Sequence, residues 1–111
     1  MGMLRICVIE ASALTGLLIL TCASKAQEPT IQRGRAFSQT NCARCHAIGR
    51  SGESPLPKAP PFRTLHERYP VEDLMESFAE GIRTGHPAMP EFALDEDQNR
   101  DLISYLKSLE R

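Results

Sequence analysis

The chain has no tryptophan and only four cysteines, two tyrosines and four phenylalanines among its 111 residues. The shortage of cysteine excludes most. Cys7 and Cys22 fall in the N-terminal stretch, which leaves Cys42 and Cys45 as one close pair. One pair allows no larger disulfide framework. A structural zinc site needs four ligands, and no second pair is present to complete one. Long apolar runs are also missing. The stretch Ala11 to Leu20 falls well short of the roughly 20 residues a membrane-spanning helix requires. No alternation of useful length suggests a β-strand, and no internal repeat is visible. Neither sign of charge dominates, with 13 Lys and Arg against 14 Asp and Glu, so nothing suggests a nucleic-acid partner. The length suits one small domain with a modest apolar core.

Residues 1–26 have the layout of a secretory signal peptide, followed by a domain over residues 27–111. Arg5 supplies the positive start, Ala11 to Leu20 the short apolar run, and Ser24-Lys25-Ala26 the small residues before a cut. Glu10, a charge at the edge of the apolar run, argues the other way. The competing readings are an uncleaved amphipathic anchor and lipid attachment at Cys22, where Leu20-Thr21-Cys22-Ala23 loosely resembles a lipoprotein box. A membrane role follows only if the leader is retained or Cys22 is lipidated. The leader carries Arg5, Lys25 and Glu10, so the remainder holds 11 basic and 13 acidic residues. Their distribution is uneven. Seven basic residues face three acidic ones from Glu28 to Pro70, and four face ten from Val71 to Arg111. The expectation is a molecular dipole, with two solvated faces as the plain alternative.

The pattern predicts an all-α chain of about three main helices. The first spans about Ile31 to Asn41, with Thr30 as N-cap and Gly34 at a mid-helix position that costs roughly 1 kcal/mol relative to Ala. The second spans about Val71 to Thr84. Val71, Leu74, Met75, Phe78, Ala79 and Ile82 form its buried stripe, and Gly85 closes it. On this reading Met75 is core filler. The third spans about Glu96 to Leu109, with Asp95 as N-cap and Gln98 completing a capping box. Its stripe is Leu102, Tyr105, Leu106 and Leu109, widened by Ile103. Between the first two helices, Ala47 to Pro70 is rich in proline and poor in helix signals. So long an irregular stretch inside a small domain suggests that it wraps something.

The decisive motif is Cys42-Ala43-Arg44-Cys45-His46. Two thiols three residues apart can add to the two vinyl groups of one haem, and the following histidine then faces the iron. C-x-x-C-H is the signature of covalent haem attachment. The rival readings are weaker. Zinc would need His66 and His86 to complete a site by coincidence. A thioredoxin-like pair would want a βαβ context. A plain disulfide leaves His46 without a reason.

With these residues in view, the chain resembles a class I c-type cytochrome over nearly all of residues 30–110. The first helix ends in the haem motif. The proline loop matches Ala59-Pro60-Pro61-Phe62, the middle helix Val71 to Gly85, the methionine loop Met89-Pro90, and the last helix Leu102 to Leu109. The resemblance implies a cytochrome c-like fold wrapped around one haem c per chain. It implies Met89 as the second axial ligand of the iron, with His86 as its rival, while His66 is an ordinary loop histidine. It implies a proline carbonyl that accepts a hydrogen bond from His46, with Pro60 the best match and Pro61 second. It also implies that Gly34 and Phe37 meet Tyr105 where the outer helices cross. One departure is the missing tryptophan, which in many relatives contacts a haem propionate. Tyr69, Arg63 and Arg83 are the candidates to replace it.

A haem held by His and Met has a full coordination sphere, which suits one-electron exchange and leaves no place for substrate. The expected function is electron transport rather than catalysis. The expected protein is a monomer in the periplasm, or anchored to the membrane and facing it, serving a respiratory chain. Its partners are redox proteins, and Arg44 within the motif suggests acidic docking surfaces. Two other readings stay open. One is a haem subunit of an oxidoreductase complex. The other is a ligand-sensing haem protein with a labile Met89.

Overall fold

The computed structural model describes residues 24–111. Most of the expected leader, Cys22 included, lies outside the described residues. Three α-helices form the frame: α1 (Ser24–Asn41), α2 (Leu74–Glu80) and α3 (Glu96–Ser108). Two 3₁₀ helices, Phe62–Glu67 and Val71–Asp73, precede α2. Among the described residues there is no β-strand, only an isolated antiparallel bridge between Ile82 and Phe92. The all-α expectation therefore holds. No helix of the described residues is long and apolar enough to cross a membrane.

α1 and α3 pack against each other, and Gly34 makes this possible. A β-carbon at position 34 would lie 2.0 Å from the Asp101 carbonyl oxygen and 2.7 Å from Cβ of Tyr105. Only glycine lets the two backbones approach this closely. Beside the crossing, Arg33 grips Asp101 through two hydrogen bonds, Nε to Oδ2 at 2.7 Å and Nη2 to Oδ1 at 2.9 Å. Such paired charge-assisted bonds set orientation as well as attraction. The core below gathers Leu102, Tyr105, Leu106 and Leu109 of α3 with Phe62, Leu65, Val71 and Phe78.

The helix boundaries agree with the sequence where the signals are local. Asp95 caps α3, accepting from the Gln98 amide at 2.8 Å, and the Asp95 amide donates in turn to Gln98 Oε1 at 3.3 Å. α1 instead starts earlier than expected and runs through Pro29. The proline forfeits one bond, to the carbonyl four residues back, which confines the loss to the first turns. Thr30 is thus inside the helix rather than its cap, and its hydroxyl accepts from Arg33 Nη2 at 3.4 Å. The expected cut between Ala26 and Gln27 falls within this helix.

The middle helix differs most. It begins as a 3₁₀ turn at Val71 and ends at Glu80 rather than Thr84. Gly81 has φ +102°, which breaks the helix, and Ile82 leaves the stripe to bridge with Phe92. Gly85, expected to close a helix, takes φ +73° in the loop beyond. Met75 is no core filler: it is 41% exposed. In so short a helix the buried side is held by Phe78 and partly by Leu74, and Met75 is not part of the core.

Candidate haem attachment site

α1 ends in the turn that carries the motif. The amides of Cys42 and Ala43 both donate to the Ser38 carbonyl, at 2.8 and 3.0 Å. The amides of Cys45 and His46 both donate to the Cys42 carbonyl, at 3.1 and 2.9 Å. The backbone thus continues in tight turns past the helix, and the two cysteines and the histidine share one compact corner. Neither cysteine is in a disulfide, and both side chains are partly buried. Burial, and next the charge of Cys45, push the Cys42 thiol up to about 11. Its neutral form is thereby favoured at ordinary pH.

The proline loop folds back over this corner. Nδ1 of His46 is 2.8 Å from the Pro60 carbonyl oxygen. A carbonyl can only accept, so Nδ1 carries the proton and Nε2 keeps its lone pair for a metal. Three hydrogen bonds hold the loop in place: Leu56 N to the Cys45 carbonyl at 3.1 Å, Phe62 N to the Ala47 carbonyl at 2.9 Å, and Ala47 N to Ser54 Oγ at 3.0 Å. The Phe62 ring lies 5.2 Å from the imidazole, tilted by 47°.

The chemistry of this donor set fits a covalently attached haem. Two free thiols stand at the required spacing, and the imidazole next to them has its metal-binding nitrogen uncommitted. Among the described residues no group of three or more His, Cys, Asp or Glu is arranged to hold a metal ion, so the zinc alternative gains nothing from the fold.

Met89 lies on a separate loop and is partly buried. Its amide donates to the His86 carbonyl at 3.0 Å. His86 itself is exposed, as is His66 on the first 3₁₀ helix. Of the three candidates for the propionates, Arg83 is engaged with Glu91 at 3.1 Å and Tyr69 is 38% exposed. Arg63 donates through Nη2 to the Gly52 carbonyl at 2.8 Å, and its buried Nη1 has no hydrogen-bond partner.

Two contributors were not legible in the sequence as parts of the site. Ser54 sits in a Gly, Ser and Pro stretch where any hydroxyl looks like turn chemistry. Tyr105 reads as a packing residue, yet its hydroxyl donates to the Ile48 carbonyl at 2.7 Å. No local signal announces either bond, because each partner is brought in by the fold.

Known proteins resemble this chain over most of its length. The family model described as Cytochrome c matches residues 31–110. A protein of Synechocystis sp. described as cytochrome c-553-like is 32% identical over 77 residues, covering 69% of this chain and 67% of that protein. No solved structure matches significantly.

Proposed function

The chain belongs to the cytochrome c family, and from that premise we propose that it carries single electrons on one haem c, attached through Cys42 and Cys45, with His46 and Met89 as the axial ligands. The observation that carries this reading is the bond from His46 Nδ1 to the Pro60 carbonyl, 2.8 Å long, beside two free cysteines. Haem, once bound, supplies an iron that takes up and releases one electron. The chain's own residues do the rest. The thiols of Cys42 and Cys45 anchor the group at two points. His46 offers Nε2, and Pro60 fixes its tautomer and ring plane, as partners of ligating histidines generally do. Met89 offers a thioether from a loop stiffened by Pro87 and Pro90. Such a pair of ligands favours the reduced state and leaves little to rearrange on electron transfer.

The same reading includes export to the periplasm through the leader, since the haem motif follows a signal-like segment. Docking to acidic redox partners is part of it as well, given the excess of basic residues from Glu28 to Pro70. Encounters of this kind use small interfaces that release quickly.

The test is an absorption spectrum of the full chain made in a bacterium that attaches haem in its periplasm. The expected result is a sharp reduced c-type spectrum, with a weak long-wavelength ferric band from sulfur ligation that vanishes in Met89→Ala. A c-type spectrum lacking that band would move the second ligand to His86 or open the site. A colourless protein would overturn the reading. Electron-transfer rates to an acidic partner should fall as salt rises, and rates insensitive to salt would remove the docking preference.

A further inference from the structure

Residues 82–92 form a closed loop, and its ends are joined at a neck. At the base, the Ile82 amide donates to the Phe92 carbonyl at 3.0 Å. One step inward, Arg83 Nε is 3.1 Å from Glu91 Oε2. The other oxygen of this carboxylate lies against the main chain of Gly81, where a β-carbon would be 2.7 Å from it. Glu91 therefore spans the neck, with one oxygen on Arg83 and the other at the glycine that breaks α2. The next tie outward is Leu94 N to the Phe78 carbonyl at 2.8 Å. Between the ends the loop is held by little else. Residues 83–88 are all exposed, and burial is confined to Ile82, Met89 and Phe92.

We infer that Glu91 and Arg83 are positioning residues whose ion pair closes the neck of the Met89 loop, so that retention of Met89 as a ligand is sensitive to salt. The inference rests on Met89 being the ligand proposed above. A thioether binds ferric iron weakly, so its occupancy depends on how well the loop presents it. If the neck opens, the closed segment lengthens from the 11 residues between Ile82 and Phe92 to the 17 between Phe78 and Leu94. Loop-closure entropy makes that change worth about twofold in local concentration. The pair itself is solvent-exposed, with side-chain exposures of 81% and 49%. Exposed pairs shift an equilibrium by about two- to fivefold, and salt screens them. Effects of this size are small beside global stability but large enough to read in ligand exchange.

The experiment uses the ferric holoprotein and imidazole as a competing iron ligand. Imidazole enters only when Met89 leaves, so its apparent affinity reads the opening equilibrium. Glu91→Gln and Arg83→Gln should each bind imidazole about two- to fivefold more tightly than wild type at low salt. Wild type should approach the variants in about 1 M sodium chloride, where the Debye length is about 3 Å, while the variants change little. The doubly swapped Arg83→Glu/Glu91→Arg protein should recover wild-type affinity. The midpoint of helix loss by circular dichroism should stay the same throughout, which a merely structural role would not predict. Unchanged imidazole affinity in both single variants overturns the inference, and so does a change that tracks the helix midpoint. Absence of the sulfur band in wild type overturns the Met89 reading and this inference with it. An intact band with unchanged affinity overturns this inference alone.

Discussion

The hydroxyl of Tyr105, in the last turn of α3, donates a 2.7 Å hydrogen bond to the carbonyl of Ile48, two residues past His46. This bond ties the last helix to the segment that carries His46. It complements the crossing at Gly34, where the α1 backbone presses on the same tyrosine's Cβ. Tyr105 thus serves both the packing of α1 on α3 and the anchoring of the motif's outgoing strand of chain.

Replacing Tyr105 by Phe keeps the ring and removes the donor. The Ile48 carbonyl then loses its partner in a partly buried position, and the expected destabilisation is about 1–2 kcal/mol. The effect should also depend on pH. Burial raises the Tyr105 hydroxyl above its ordinary value, with Arg35 and Arg50 pulling it part of the way back. The folded state therefore keeps this proton to higher pH than the unfolded chain does. Its contribution is complete below the unfolded value of about 10 and is lost as pH rises through the folded value. Tyr69 shifts in the same direction, also chiefly by burial. Unfolding midpoints from pH 7 to 11 should show an alkaline fall that is shallower in Tyr105→Phe than in wild type. Parallel curves would contradict this role.

Gly34→Ala should be more damaging than its single methyl suggests. The new carbon would fall 2.0 Å from the Asp101 carbonyl oxygen, which belongs to helix backbone and cannot swing aside. Either α1 and α3 separate or both bend, and overpacking of this kind costs on the order of 3 kcal/mol. Thermal unfolding of the red protein provides the measurement. A drop of less than about 1 kcal/mol would mean the helices can slide apart with little strain.

Asn99 offers the opposite case, a native residue whose removal should help. It is only 5% exposed, and its Nδ2 donates to the Met75 carbonyl at 2.6 Å while the buried Oδ1 has no partner. The Met75 carbonyl lies inside α2, where the helix ladder supplies another donor. Asn99→Leu therefore removes a stranded acceptor without stranding the carbonyl. The expected gain is about 1 kcal/mol, read as a higher denaturant midpoint at unchanged slope. A loss of similar size would show that the side-chain amide contributes more than the stranded oxygen takes away.

Agreement between sequence and structure follows the range of each signal. Asp95 and Gln98 predict the start of α3 because a capping box acts within four residues. The C-x-x-C-H spacing is likewise readable, since covalent attachment depends on positions three and four apart. The middle helix shows where local reading stops. Its apolar stripe continues through Ile82, yet Gly81 breaks the helix after Glu80, and Ile82 pairs instead with Phe92, ten positions on. Thr30 looks like a helix start, but α1 begins earlier, and the one bond lost at Pro29 near its end is too small to stop it. Met75 fits the period of the stripe and is nonetheless 41% exposed, since burial depends on what packs against a helix and not on its period.

By itself the sequence determined the helical class, the cap of α3 and the spacing of the C-x-x-C-H motif, all of which depend on residues a few positions apart. Only the tertiary structure decided how the motif is held. Pro60 reaches His46 across 14 positions, Tyr105 reaches Ile48 across 57, and Arg33 reaches Asp101 across 68. Such contacts arise from the close crossing that Gly34 permits and from the loop that folds over the corner. No period or spacing encodes them, because hydrogen bonds between distant residues form only after packing has brought donor and acceptor within about 3 Å of each other.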